Sequence, residues 1–227
     1  MRAPSDVPLV RDRALARPDI EALPAGTTLV DCDLEEADLS KLDLSSWGFE
    51  RCNLRRADLS GARLERTRWQ SCRGAFSSFV GSDLSEAVFT ASDFNNASFK
   101  RSTLEGARFS GCKLTGADLT DVKAVEVHFE ETLFIGARLR KHMFRKAKLK
   151  QVDFAQADLR ECDFRLASFE ESSLREAILD GARFEGADLR GADLGGLRLA
   201  DAGRFRGAVV SRDQAALLLE QLGLRIL

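Results

Sequence analysis

The residues best suited to nucleophilic or metal chemistry are five cysteines, Cys32, Cys52, Cys72, Cys112 and Cys162, and two histidines, His128 and His142. A cysteine acts as nucleophile or zinc ligand through its thiolate, which needs a lowered pKa or a neighbouring base. The sequence offers neither arrangement. It has no CxxC spacing, no Cys–His pairing, and no HExxH, P-loop or GxSxG motif. All five cysteines instead fall in one slot of a five-residue pattern, two residues before its central position, and so read as small buried apolar side chains. His142 occupies the same slot and reads as an inward or corner packing residue; His128 lies one before a centre and reads as solvated. The carboxylates stand mostly beside the centres, spread along the chain, whereas paired general acids need a shared cleft. These residues predict no enzyme, no metal site and no cofactor.

The pattern itself starts at Leu29 and steps by five to Leu199. Of its 35 centres, 19 are Leu and 13 are Phe; only Trp69, Gly74 and Ala124 depart. The slot two before each centre holds 15 Ala, 5 Cys and 5 Ser, with a few other residues making up the rest. A period of five fits neither a helix at 3.6 nor a strand at 2. It suits a solenoid coil of four five-residue sides, with the centre and the small residue pointing inward and the other three positions facing solvent. Such coils stack about 4.8 Å apart, each hydrogen-bonded to the next. All four prolines, Pro4, Pro8, Pro18 and Pro24, precede the array, as a ladder that needs every N–H requires. Glycine recurs two after the centre, at Gly61, Gly106 and Gly181 among others, where a corner needs conformational freedom.

Segments such as Ala57-Asp58-Leu59-Ser60-Gly61, Ala117-Asp118-Leu119-Thr120-Asp121 and Ala187-Asp188-Leu189-Arg190-Gly191 resemble the A(D/N)LXX consensus of the pentapeptide-repeat family. The resemblance covers about three quarters of the chain. It implies an all-β fold, a right-handed quadrilateral β-helix, here followed by a C-terminal α-helix. The expected organisation is an N-terminal cap or leader over 1–26, the repeat β-helix over 27–201, and a capping or dimerisation helix and tail over 202–227.

At the C-terminal end Ser211 and Gln214 form a capping box, and Asp213 adds a favourable charge to the first turn. Residues 212–222 place Ala215, Leu218, Leu219 and Leu222 on one face, and Gly223 is a stop signal. With Leu224 and Ile226 these side chains form a candidate dimer surface. The segment is similar to the C-terminal helix of Qnr- and MfpA-type quinolone-resistance proteins, which implies two rods joined tail to tail.

Charge bounds the partners. The 34 basic and 36 acidic residues leave a net charge of −2, against the basic excess that direct nucleic-acid binding needs. No apolar run is long enough for a membrane span, and residues 1–20 lack a signal-peptide core, so a cytoplasmic protein is expected. Two surface features stand out as partner-binding candidates. One is a basic belt of Arg138, Arg140, Lys141, Arg145, Lys146, Lys148 and Lys150 with no acid between them, readable as a docking patch or a solvated band. The other is the irregular stretch 66–79, where oversized Trp69 and missing centre Gly74 predict a bulge presenting Arg73, Ala75 and Phe76.

The family resemblance implies a non-enzymatic protein that protects DNA gyrase or topoisomerase IV from an inhibitor by DNA-like rod shape, as resistance or self-immunity. The near-neutral faces do not match the negative charge that such mimicry uses. A scaffold rod binding an unrelated protein is the alternative.

Overall fold

The computed structural model describes residues 8–197, 203–221 and 223. The chain folds as two compact units, Met1–His128 and Phe129–Leu227.

In the first unit, six short parallel strands line one side of successive coils: β1 (Leu9–Arg11), β2 (Thr28–Val30), β3 (Gly48–Glu50), β4 (Arg68–Gln70), β5 (Val88–Thr90) and β6 (Arg108–Ser110). From β2 onward each residue pairs with the one twenty further on, as Leu29 with Phe49 and Trp69 with Phe89. The other sides carry single bridges in the same register, such as Asp33 to Asn53 and Asp58 to Ser78. The result is a parallel β-solenoid. Strand β7 (His128–Glu130) begins on the last residue of the first unit; in the second, β8 (Lys148–Lys150) and β9 (Ser168–Glu170) repeat the pattern, and β10 (Ser172–Ser173) pairs with β11 (Ala192–Asp193).

Each pentad does three jobs. Its centre and small residue are in most cases buried, as Leu59 with Ala57 and Phe164 with Cys162. Its i+2 residue turns the corner: every such position from Asp31 to Gly186 has a left-handed φ, between 49° and 70°. At most corners the next small residue closes the turn, as where Ala57 N–H donates to the Leu54 carbonyl at 3.1 Å. The Asp that precedes many centres has a structural task too. Its carboxylate accepts the N–H two residues on, as Asp38 from Ser40 at 2.9 Å and Asp153 from Ala155 at 2.9 Å. This is an Asx-type cap, the physical reason the consensus wants Asp or Asn there.

Inside, rings stack along the coils. Phe49, Trp69, Phe89 and Phe109 follow one another at centroid spacings of 4.0, 5.5 and 4.5 Å, nearly parallel. Phe144, Phe164, Phe184 and Phe205 do so in the second unit at 4.8, 4.9 and 4.6 Å. Each such pair adds about 0.5–1.5 kcal/mol beyond burial.

The coil ladder reaches past 27–201 at both ends, each time one residue out of step. Val10 pairs with Leu29 and Ala14 with Asp33, nineteen residues apart, so that Leu15 and Ile20 are buried on the first full coil. Helix α1 (Arg17–Glu21) carries Ile20 there. At the far end Asp188 bridges Val209 and Phe205 stacks on Phe184, both twenty-one apart. Helix α2 (Arg212–Glu220) follows, with Ser211 and Gln214 making the expected reciprocal cap at 3.1 and 2.7 Å. Gln214 also donates to the Leu189 and Ala192 carbonyls, both at 2.7 Å, which ties α2 to the last regular coil.

Candidate functional site

The bulge expected over 66–79 does not form. The ladder runs through it without interruption, with Gly74 N–H donating to the Asp93 carbonyl at 2.7 Å and Phe76 N–H to that of Asn95 at 2.9 Å. The reason is compensation within the core. A Cβ on Gly74 would lie 2.1 Å from Phe94 Cε1, so the ring of the following coil already fills the missing centre. Trp69 fits as a plate between Phe49 and Phe89, and its indole N–H donates to Thr67 Oγ1 at 2.8 Å.

Phe76 nevertheless stands out. It occupies a left-handed corner (φ 62°) and is 61% exposed. A bulky residue in this conformation costs about 1–2 kcal/mol relative to its usual basins. Arg73, three residues before it, has no ion-pair partner among the described residues. The weak centre Ala124 is half-buried and its neighbour Val125 is exposed, while Lys123 and Val125 keep their ladder bonds.

All seven belt residues of the second unit are exposed. Their apparent lack of compensation is partly removed by acids one coil away. Arg140 lies 4.0 Å from Asp158 and 3.8 Å from Glu161, Lys141 lies 3.8 Å from Glu161, and Lys150 lies 3.5 Å from Glu130. Arg138 is also engaged. Arg145, Lys146 and Lys148 have no ion pair among the described residues. Two exposed apolar side chains outside the belt lie beside them: Met143 at 55% and Leu166 at 50% exposure. The signal for both was available, since Met143 sits where Asp is usual and Leu166 where a corner residue belongs.

The candidate dimer residues divide. Ala215 and Leu218 are half-buried and Leu219 is exposed, so one continuous apolar face is not presented; Leu217 is the most exposed, at 65%. Leu222, Leu224 and Ile226 lie outside the described residues. Beside α2 a groove of about 390 Å³ is lined by Leu217, Leu218, Gln214, Leu197 and the Arg175–Asp193 pair. A second hollow of about 160 Å³ is lined by Leu174, Ile178, Leu197, Arg204 and Phe205.

The chemistry-bearing residues are packed away. All five thiols are buried and free. Burial pushes Cys112 up to about 11 and Cys162 up to about 12, while the hydrogen bond with Cys52, together with burial, pushes Cys72 up further. A thiol in that state is a poor nucleophile. His142 is buried between Phe129 and Phe144, at 5.9 and 4.4 Å between ring centroids. Neither of its nitrogens has a hydrogen-bond partner among the described residues, and burial pushes its pKa down to about 4. Asp residues beside the centres are engaged as well. Arg160 holds Asp158, and Arg165 holds Asp163, below the usual carboxylate range. Among the described residues no group of three His, Cys, Asp or Glu could hold a metal ion. None of their helices is long and apolar enough to cross a membrane.

Two sequence signatures match the chain: pentapeptide repeats, in eight copies over 49–68, 82–121 and 167–202, and a pentapeptide repeat region over 110–184. No curated protein matches. Among solved structures, full-length QnrB1, described as a plasmid-mediated fluoroquinolone resistance protein, is similar with a TM-score of 0.59 at 19% identity, over 96% of this chain and 98% of its own. A trypsin-treated variant of QnrB1 matches with a TM-score of 0.59 at 19% identity, covering 97% and 98%. At this identity the likeness is one of fold.

Proposed function

From the premise that this chain belongs to the pentapeptide-repeat family, we propose that it is a non-enzymatic binding protein of the cytoplasm that engages a type II topoisomerase, DNA gyrase or topoisomerase IV. By doing so it protects the enzyme from an inhibitor such as a quinolone. The observation that carries this reading is the likeness to QnrB1, which runs through 96% of the chain. The buried thiols, the orphaned His142 and the capped Asp side chains support a binding role over catalysis. Phe76 with Arg73, and the belt of the second unit, are the surfaces proposed to meet the partner. Helix α2, through Leu217 and Leu219, is proposed to join two copies, with light scattering in solution as its check.

A supercoiling assay with purified gyrase and a quinolone tests the function directly. Adding this protein at stoichiometric excess restores supercoiling if the reading holds; no restoration there, and none in the matching decatenation assay with topoisomerase IV, removes it. The net charge of −2 favours one other reading, a scaffold that binds an unrelated protein, because a mimic of DNA would carry a stronger negative field.

A further inference from the structure

We propose that one edge of the second unit, built by Met143, Arg145, Lys146, Lys148 and Leu166, is a docking site for an acidic protein segment that carries an apolar side chain. This identifies a partner chemistry and does not depend on which enzyme, if any, the protein protects.

Three observations converge on this edge. Lys146 and Leu166 turn successive corners, with φ of 61° each, joined where Lys146 N–H donates to the Arg165 carbonyl at 2.9 Å. Arg145 precedes the first corner and Lys148 follows it, so cations from two adjoining sides gather at one edge. None of the three has an ion pair among the described residues, although fifteen other basic residues do find an acid on their own or a neighbouring coil. The buried acid bridged to Met143, Asp163, is already committed to Arg165 at 2.6 Å and Arg183 at 3.0 Å.

The two apolar residues work against the fold's own preferences. Met143 stands where Asp would cap the following amide, and it bridges Asp163, which does provide that cap to Arg165 at 3.1 Å. Leu166 takes a left-handed corner that Gly fills without strain at the next coil, Gly186. Both side chains are left about half exposed, so the coil gains little from either. Clustered cations flanking exposed apolar groups complement an acidic segment with an apolar anchor, since the anchor supplies the buried centre and the charges a polar rim. A phosphate backbone would use the charges and leave Met143 and Leu166 idle. It would also meet a chain whose net charge is −2.

Met143 makes the test local, because it is one of only two methionines. The protein carrying ¹³C-methyl methionine is titrated with a short synthetic peptide of glutamates around a central Leu-Phe pair, with an oligoglutamate of equal length and a DNA duplex in parallel. The proposal expects a saturable shift of the Met143 methyl with the Leu-Phe peptide. Affinity should fall at least tenfold in the triple variant Arg145→Glu, Lys146→Glu, Lys148→Glu, and several-fold in Leu166→Ser, with far-ultraviolet circular dichroism unchanged in both. No shift, equal binding of the oligoglutamate, or a comparable response to DNA each overturns it.

Discussion

At Gly74 the first unit lacks a core side chain, and the Phe94 ring of the next coil occupies the space within 2.1 Å of where a Cβ would be. At His142 the second unit has the opposite problem, a large polar ring in a slot that usually holds Ala, with both nitrogens unpaired. The first irregularity is a packing exchange, which neighbouring rings can absorb. The second is an unsatisfied polar burial, which packing cannot cure. A repeat core therefore tolerates errors of volume better than errors of polarity, provided the volume lost on one coil is supplied by the next.

The largest effect expected from this comparison is at Gly74. Gly74→Leu forces side chain into the Phe94 ring and should cost about 3 kcal/mol or more, read as a melting temperature lower by roughly 6–12 °C. Adding Phe94→Leu should return at least half of that loss, and failure of this rescue would break the exchange account. His142 comes next. Its pKa is about 4 in the folded chain and near 6.5 when unfolded, so the unfolded state binds the proton more readily and stability falls as pH drops below about 6.5. Urea unfolding should show about 2 kcal/mol less stability at pH 5 than at pH 8 from this group, by the linkage of a pKa shift to free energy. His142→Leu should abolish that slope and raise stability at both pH values.

Thr67→Val sharpens the contrast by adding to the first unit, where Trp47 Nε1 and Ser102 Oγ already lack a partner among the described residues, a further fault of the kind His142 represents in the second. It leaves the Trp69 indole N–H without its acceptor at 2.8 Å, a change worth about 1–2 kcal/mol in thermal or chemical unfolding. The smallest change is expected at the surface. Phe76→Gly relieves a left-handed corner and should stabilise by up to about 1 kcal/mol. The same variant should weaken protection in the gyrase assay if Phe76 contacts the partner.

Much of the coil was legible because period five puts the same kind of residue inside every time. Leu59, Phe89 and Cys162 are buried where the phase puts them. The end coils were not legible, because one residue fewer before Leu29 and one more before Phe205 throw a five-step reading out of phase while leaving the ladder intact. The candidate surfaces were legible only in part. Phe76 and the belt are exposed as their phase suggests; Met143 and Leu166 show only as departures from the outward positions of the pentad, since the core pattern is intact around both.

What the sequence determined by itself is the inside and outside of each pentad, since burying Leu, Phe and small residues in strict phase leaves the chain few other ways to remove them from water. The three-dimensional structure decided which outward groups meet. Residues twenty apart become neighbours only once coils stack, and so Arg66 finds Glu86 at 3.0 Å and Lys141 finds Glu161 at 3.8 Å while Arg145, Lys146 and Lys148 find no acid among the described residues. It also decided how Gly74 is filled and His142 stranded, because steric fit and hydrogen bonding act between coils, at separations along the chain that a local pattern does not span.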